Sequence, residues 1–351
     1  MAKRALLERL KSEVVLCAEG YLFELERRGY IQAGAFVPEV VLTHPEAVLA
    51  LHREFIRAGS DVVEAFTYYG HREKLKVLDK EHLLEPLQKN ALALAHQAAQ
   101  EFPELDLLVA GNVCNTTAWD ADDPVASTAE VRPMFDEQIA WAKEAGVDFV
   151  IAETFSDIGE AMVALESIKS ADLVAVITMA LHRDAGAYAD GVPLVEGAKR
   201  LEQAGADVVG LNCARGPHTI REPLLKIREA VSCPVAALPV PYRTSEENPT
   251  FQSLRDPACG CLPTEMPFPV ALDPFTCNRY EMGEFAQWCF ENEIRYMGVC
   301  CGGAPHHVRS MAEALGRKPP GSAYSADMSK HYAFGDSAKL RKHNQGMRAR
   351  A

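Results

Sequence analysis

Three cysteines lie at the ends of two predicted strands, where their thiolates are placed to bind a metal ion. Cys213 ends the segment 207–213, and Cys300 and Cys301 end the segment 294–301 ahead of two glycines. Both segments are short apolar runs that follow helix-like stretches, as expected for buried parallel strands. Three thiolates with an open fourth position are typical of a catalytic zinc site, whereas a structural zinc site is closed by four protein ligands. A zinc ion held in this way can bind a substrate thiolate and make it nucleophilic.

The adjacent pair of cysteines sets a geometric condition on such a site. Successive residues of a strand point to opposite faces. Cys300 and Cys301 therefore reach one metal only if the strand ends there and the backbone turns, which Gly302 and Gly303 allow. A disulfide between the two neighbours is the alternative, and a reducing compartment disfavours it. Packing as small apolar residues is the expectation for Cys17, Cys114, Cys233, Cys277 and Cys289.

Strand-like and helix-like patterns alternate along the chain. Predicted strands cover residues 14–17, 61–66, 107–113, 148–153, 173–179, 207–213, 234–240 and 294–301, and predicted helices include 45–58, 89–101, 131–145, 159–170 and 193–204. Glycines at positions 59, 146 and 205 predict helix ends just ahead of the next strand. Eight such repeats predict an α/β protein with a (β/α)8 TIM barrel over residues 1–316. An open doubly wound sheet is the alternative, and the lack of a glycine-rich loop after the first strand disfavours it.

Composition narrows the classes of function. The chain has 351 residues, of which 48% are apolar, and this suits one large domain with a sizeable core. Its net charge of −13 disfavours nucleic acid or an anionic membrane as the main partner. We find no signal peptide and no apolar run of membrane-spanning length. The ten cysteines are therefore expected to be reduced thiols or metal ligands of a cytoplasmic protein.

Two segments depart from the regular pattern. Residues 317–351 form a short C-terminal extension that is either a disordered end or an arm packed on another subunit of a homo-oligomer. The arm would be anchored by Tyr324, Met328, Tyr332 and Phe334. The connection 241–285 is long for a compact domain, and loops of this length are usually functional. Cys259 and Cys261 in that connection are a weak candidate for a second metal pair.

The mouth of a barrel collects the side chains that follow each strand. Substrate-binding candidates are Glu19 and Gly20 after the first strand, Tyr68 and Tyr69 after the second, Glu153 and Thr154 after the fourth, and Tyr242 after the seventh. Aromatic rings beside a zinc–thiolate site, with Phe36 and Phe268 as further members, suggest recognition of an organic cation through the ring faces. Ordinary core packing is the alternative for any one ring. Glu153 would bind a substrate ammonium or form a salt bridge that stabilises the barrel.

The motifs around these residues resemble the zinc-dependent homocysteine S-methyltransferase family over nearly all of residues 5–316. The resemblance is carried by the segments 20–30, 44–48, 52–55, 57–60, 66–69 and 151–153, and above all by Gly210-Leu-Asn-Cys213 and Gly298-Val-Cys-Cys-Gly302. The pair of cysteine motifs is highly specific to this family. In the first two segments the betaine-dependent branch is a better match than the cobalamin-linked methionine synthases.

The resemblance implies a function and a role for several residues. Cys213, Cys300 and Cys301 match the ligands of Zn²⁺, and Glu153 matches the carboxylate that holds the amino group of homocysteine. Gly20 matches a glycine whose backbone meets the amino-acid end of homocysteine, and Tyr69 matches an aromatic of the betaine pocket. The implied reaction is zinc-dependent transfer of a methyl group from glycine betaine to the homocysteine thiolate, which gives dimethylglycine and methionine.

Three departures from the family pattern keep alternatives open. The first loop of the family reads Asp-Gly-Gly, whereas this chain has Ala18-Glu19-Gly20, so the acid is absent or displaced by one residue. Phe36 stands where the betaine enzymes have Trp, and Thr154 where they have Tyr. An alternative hypothesis therefore keeps homocysteine as the acceptor and takes dimethylsulfoniopropionate, S-methylmethionine or another betaine as the methyl donor. A non-catalytic barrel that binds an osmolyte or amino acid is a further alternative, while a metal-dependent hydrolase would normally use His and carboxylate ligands.

Overall fold

Eight parallel strands close into a barrel in the computed structural model, which describes residues 4–258 and 265–349. Neighbours in the barrel follow chain order, and the last strand closes on the first. The strands are β1 (Val15–Ala18), β2 (Val62–Glu64), β3 (Leu108–Cys114), β4 (Phe149–Phe155), β5 (Ala175–Met179), β6 (Val208–Asn212), β7 (Val235–Leu238) and β8 (Tyr296–Val299). Each predicted strand is present, and the predicted (β/α)8 barrel is confirmed.

Helices connect the strands on the outside of the barrel. In the described residues they are α1 (Leu6–Arg9), α2 (Tyr21–Arg27), α3 (Val40–Thr43), α4 (Pro45–Ala58), α5 (Arg72–Lys76), α6 (Leu84–Gln100), α7 (Pro124–Ala145), α8 (Ile158–Ser170), α9 (Leu194–Gln203), α10 (Arg221–Ala230), α11 (Arg279–Glu291) and α12 (Pro305–Ala314). Gly59 and Gly146 follow α4 and α7 in a left-handed conformation, which confirms the helix ends predicted at these two glycines. Helix α7 begins earlier than predicted, because the Asp123 side chain accepts the Ala126 N–H and caps its first turn.

Aspartates tie the amino-terminal ends of the strands together. Each stands just before or at the start of a strand and accepts the backbone N–H of a residue on or next to the neighbouring strand. The pairs are Leu16 with Asp61 at 2.7 Å, Val109 with Asp148 at 2.7 Å, and Ala175 with Asp207 at 2.8 Å. These bonds stabilise the face of the barrel opposite its mouth, which is the face where a TIM barrel keeps its stability residues.

A close approach of β1 and β8 explains one glycine of the second cysteine motif. The two strands pair with Cys17 opposite Gly298. A Cβ atom on Gly298 would lie only 1.7 Å from the carbonyl oxygen of Cys17, so any larger residue would push the strands apart. Gly298 therefore sets the position of the strand that carries Cys300 and Cys301.

In the described residues, neither the connection 241–285 nor the C-terminal segment adds a strand to the barrel. The connection after β7 contains short 3₁₀ turns before α11, and Cys259 and Cys261 lie outside the described residues. The C-terminal segment is attached at its start by an ion pair of Arg317 with Asp61 at 2.7 Å. No helix in the described part of the chain is both long and apolar enough to cross a membrane.

Candidate metal and substrate site at the barrel mouth

The three predicted cysteines meet at the carboxyl ends of β6 and β8. Their sulfur atoms all lie within 4.8 Å of one another, and all three residues are buried. Two Zn–S bonds of about 2.3 Å set a separation of this order, so the sulfur positions suit one zinc ion. Strand β8 ends at Val299, and the two adjacent cysteines occupy the turn that follows it. The geometric condition that the sequence placed on Cys300 and Cys301 is thereby met.

Unusual backbone conformations hold this turn and the one after β6. Cys213 has a φ of 55° and Gly302 a φ of 84°, both in the left-handed region. A Cβ on Gly302 would lie 2.2 Å from the hydroxyl oxygen of Tyr242, and one on Gly20 would lie 2.1 Å from the carbonyl oxygen of Gly303. Gly20 and Gly302 are therefore needed for close packing around the cysteine turn.

The thiol cluster favours a shared negative charge. Hydrogen bonds from Cys300 and Cys301 hold the pKa of the Cys213 thiol well below its usual value. Burial raises the pKa of Cys300, so additional thiolates in the cluster need a cation for stabilisation. Cys213 and Cys301 also line a cavity, which leaves one side of the cluster open to a small molecule. The donor set, its spacing and this open side all fit a catalytic zinc ion.

A network of carboxylates and amides lies beside the thiols. Glu153 Oε1 accepts from Asn112 Nδ2 at 2.6 Å, and Glu153 Oε2 accepts from Asn212 Nδ2 at 2.8 Å and from Thr154 Oγ1 at 3.0 Å. Asn212 Oδ1 in turn accepts the backbone N–H of Thr154 at 3.0 Å. Burial raises the pKa of Glu153 to about 7. Asn212 immediately precedes Cys213, so the network is linked directly to the metal-ligand candidates.

Two further glutamates face the same interior. Glu19 Oε2 accepts from Asn212 Nδ2 at 3.4 Å, and Glu64 Oε1 accepts from Asn112 Nδ2. Burial, followed by repulsion from the Glu153 carboxylate, raises the pKa of both well above the usual value. Glu19 follows the position at which the family has its first-loop aspartate, and the sequence left open whether that acid is absent or displaced by one residue to Glu19. Its carboxylate and that of Glu153 each place an oxygen within 4.8 Å of Cys300 Sγ.

The cavity at the mouth has a volume of about 190 Å³ and two kinds of wall. One wall is aromatic, formed by Phe23, Phe36, Tyr68, Tyr69, Phe251 and Phe268. The other carries polar side chains, namely Asn115, Thr154, Ser156, His182 and Gln252. Ser156 Oγ and His182 Nε2 are 2.8 Å apart at the exposed rim. The cavity therefore offers ring faces and hydrogen-bonding groups to one small molecule that also reaches the thiols.

The predicted site residues do not all face this cavity. Phe36, Tyr68, Tyr69 and Thr154 line it together with Cys213 and Cys301, two of the three predicted metal ligands. Tyr242 does not line it: the residue is fully buried, its hydroxyl accepts from Arg27 Nη2 at 2.7 Å, and its ring stacks on Phe251. Tyr242 thus supports the cysteine turn from behind through Gly302.

Several residues of the site were not singled out from the sequence. Glu64 lies within a predicted strand, where the only signal was a polar side chain in an apolar run. Phe23 is on α2 and Phe251 is in the long connection, and no local pattern relates either to the mouth. The Ser156–His182 pair joins residues that follow two neighbouring strands, β4 and β5, and the convergence of strand ends was the signal available for it.

Comparison with known proteins identifies the class to which this barrel belongs. The family model described as homocysteine S-methyltransferase matches residues 19–315, a range that contains the barrel mouth and the thiol cluster. The protein is therefore an S-methyltransferase built on a (β/α)8 barrel. The chain belongs to the homocysteine S-methyltransferase family, as the cysteine motifs had implied.

Relatives with different methyl donors are similar to this chain. Betaine–homocysteine S-methyltransferase 1 of Mus musculus is 35% identical over 92% of this chain and 78% of its own length. S-methylmethionine–homocysteine S-methyltransferase of Pongo abelii is 33% identical over 97% of this chain and 88% of its own length. The metallated form of the Escherichia coli homocysteine methyltransferase MmuM shares the fold, with a TM-score of 0.66 at 18% identity over 87% of this chain and 98% of that chain.

Proposed function

We propose that this protein transfers a methyl group from glycine betaine to the sulfur of homocysteine, with zinc bound by Cys213, Cys300 and Cys301. The products are dimethylglycine and methionine. The observation that carries the proposal is that the thiol cluster opens on a cavity with an aromatic wall, which also contains Tyr68 and Tyr69. A thiolate site and a cation site are thereby adjacent, as direct transfer between a thiol and an onium donor requires.

The metal site supplies the nucleophile. Zinc bound by the three cysteines would keep the homocysteine thiol deprotonated at neutral pH, because a thiol coordinated to a metal ion loses its proton. The protein residues fix where this sulfur lies: Cys213 and Cys301 line the cavity, and Asn212, which donates to Glu153, places its Nδ2 3.7 Å from Cys300 Sγ. Buried carboxylates near Cys300 favour an acceptor that carries an ammonium group.

The aromatic wall binds the donor. A quaternary ammonium or sulfonium is attracted to ring faces, and the attraction is strongest where water is excluded. Lys74 does not line the cavity, but its Nζ lies 4.0 Å from the centre of the Tyr69 ring and covers one face of that ring. The donor would therefore also contact the rings of Tyr68 and the phenylalanines. The Ser156–His182 pair at the rim offers hydrogen bonds to the carboxylate of glycine betaine.

Methyl transfer then needs positioning more than proton transfer. The sulfur attacks the methyl carbon in line, the C–N bond breaks, and its electron pair leaves with the tertiary amine. No general base acts at the methyl group. A donor held between the rings and the rim, with its methyl toward the thiols, meets this requirement through orientation and exclusion of water.

S-methylmethionine is the second candidate donor. The Thr154 hydroxyl places a polar group in the cavity wall where the betaine enzymes have an aromatic ring. A relative that uses S-methylmethionine by name matches this chain almost as well as the betaine enzymes do. A sulfonium bearing an amino-acid group would use more hydrogen-bonding partners in the wall than a trimethylammonium does.

A donor panel with a Tyr68→Leu variant tests this proposal. Zinc-loaded protein with homocysteine is expected to form methionine from glycine betaine faster than from S-methylmethionine or dimethylsulfoniopropionate. Leucine keeps the apolar volume but removes the ring face, so Tyr68→Leu should raise the KM for betaine by about tenfold with little change in kcat. Tyr30→Leu, at an exposed tyrosine, is the control and should leave KM unchanged. Absence of methionine with every donor would rule out the reaction, and turnover with another donor alone would reassign the substrate.

We also propose that the C-terminal segment 317–349 packs on a second copy of the chain. It exposes a row of large apolar side chains, including Tyr324 at 77% and Tyr332 at 57% exposure, which a stable monomer would rarely leave uncovered. Sedimentation velocity should find the full chain as a dimer or larger. A double variant, Tyr324→Asp with Tyr332→Asp, should shift it to the monomer. A wild-type chain that sediments as a monomer at micromolar concentration would contradict this proposal.

A further inference from the structure

A second cavity opens on the same face of the barrel as the aromatic cavity at the mouth. It has a volume of about 490 Å³, and its walls come from the segments after β5, β6 and β7 and from the start of α10. Its basic and hydroxyl side chains are those of Arg183, Arg215, His218, Thr219, Thr244 and Ser245. In the described residues the two cavities share no lining residue. The second cavity is therefore a place for a ligand that methyl transfer does not use.

The guanidinium of Arg215 brings a buried positive charge to this cavity. Only 4% of the residue is exposed. Its hydrogen bonds in the described residues go to backbone carbonyl oxygens, those of His182 at 2.6 Å, Arg183 at 2.9 Å and Thr219 at 3.4 Å. Its Nε is buried and has no acceptor there. A buried charge without a counter-ion is costly, so this arginine favours an anion in the cavity.

The start of α10 adds a second positive feature to the same wall. Thr219, Glu222 and Pro223 line the cavity, so the amino-terminal turn of this ten-residue helix faces it. The residue before the helix is Ile220, which provides no side-chain cap for the free N–H groups of the first turn. Such a helix end carries a partial positive charge and binds phosphate groups in many proteins.

The charged side chains at the rim leave a positive excess. Arg183 is exposed, and no carboxylate of the described residues pairs with it. Two glutamates also line the cavity, but Glu222 forms an ion pair with Lys226 at 2.8 Å, and Glu246 is exposed to water. Arg183 and Arg215 therefore outweigh the one carboxylate that has no cationic partner.

We propose that this cavity binds the phosphate group of a small molecule, with its oxygens held by Arg215, Arg183 and the first turn of α10. The planar guanidinium fork matches the geometry of phosphate, and a dianion balances the two arginines. The cavity is as large as typical small-molecule sites, so it accommodates an organic group attached to the phosphate. The site goes beyond methyl transfer, because it lies outside the cavity that contains the thiols.

Calorimetric titration of the full-length, zinc-loaded protein tests this site, with inorganic phosphate and glycerol 3-phosphate as the two probes. Two charge-assisted hydrogen bonds correspond to a Kd of about 1 mM or tighter. Tighter binding of glycerol 3-phosphate would assign the site to phosphate esters, and tighter binding of inorganic phosphate would assign it to the free ion. Saturating glycine betaine, added without homocysteine, should leave the Kd unchanged.

Arg183→Glu tests the rim without disturbing the core, since Arg183 is exposed. Loss of a hydrogen bond to a charged group costs about tenfold to a hundredfold in binding, so the Kd for the tighter probe should rise by at least this factor. Arg215→Lys keeps the buried charge but removes the fork, and it should weaken binding about tenfold. Lys11→Glu is the matched control, because it reverses an exposed charge ahead of β1, at the opposite end of the barrel, and should leave the Kd unchanged.

Three results would overturn the proposal. The first is no binding of either probe up to about 10 mM. The second is a Kd for phosphate in Arg183→Glu equal to that of the wild type. The third is displacement of the bound probe by glycine betaine, which would place the phosphate in the cavity beside the thiols.

Discussion

Replacement of Cys300 by alanine is expected to remove bound zinc and methyl transfer together. Cys300 is one of three buried cysteines whose sulfur atoms lie within 4.8 Å of one another, so its replacement removes one of the three thiolates proposed to hold the metal ion. A catalytic metal ion contributes several kcal/mol to the rate, and each 1.36 kcal/mol corresponds to tenfold. The rate of methionine formation should therefore fall by about a thousandfold or more. Cys213→Ala and Cys301→Ala should behave in the same way.

Zinc content and activity must be measured on the same preparations. Cys233→Ser is the control, since Cys233 is a half-buried cysteine at the opposite end of the barrel and takes no part in the cluster. It should retain one zinc per chain and wild-type turnover. Full activity in a Cys300→Ala protein shown to be free of zinc would refute the metal-dependent reaction.

The second large effect is expected at Asn212, which joins the metal site to the buried carboxylates of Glu19 and Glu153. Its amide donates to Glu153 at 2.8 Å and accepts the N–H of Thr154 at 3.0 Å, which holds Thr154 at a φ of 62°. Asn212→Ala leaves Glu153 Oε2 with one donor fewer and releases that strained turn. Loss of a residue that orients metal ligands or their neighbours typically costs about tenfold to a hundredfold. We expect kcat/KM for homocysteine to fall by about a hundredfold, with most of the zinc retained.

Asn292→Ala provides the comparison for this variant. Asn292 follows α11 on the outer surface, where its side chain donates to the Trp288 carbonyl at 2.8 Å. Its kinetics should equal those of the wild type. Unchanged kinetics in Asn212→Ala would show that the network does not position the reactants. Loss of zinc as complete as in Cys300→Ala would instead give Asn212 a structural role at the metal site.

Residues whose position depends on strand order were predictable from the sequence. Periodicity indicated eight strands, and the carboxyl ends of parallel strands in a barrel converge. That convergence was sufficient to bring Cys213 to Cys300 and Cys301, although Cys300 comes 87 positions after Cys213 in the chain. The requirement for a turn at Cys300 followed from the alternation of side chains on a strand, and the end of β8 at Val299 satisfies it.

Residues whose role depends on side-chain direction were not predictable. Glu64 ends β2, and only the register of the closed barrel turns its side chain toward Asn112 on β3. Tyr242 follows β7 like the other candidates, yet a hydrogen bond from Arg27 on α2 holds it behind the cysteine turn. The aromatic wall was also not predictable, because Phe23 lies on a helix and Phe251 in a long connection, and no local sequence pattern specifies the path of either.

The central claim is that this protein activates the acceptor sulfur at a zinc ion held by three cysteines. The most direct measurement is X-ray absorption at the zinc edge, recorded on zinc-loaded protein before and after addition of homocysteine. The account predicts three sulfur ligands before the addition, from Cys213, Cys300 and Cys301, and four after it. A sulfur count that stays at three under saturating homocysteine, in a protein that still forms methionine, would contradict it.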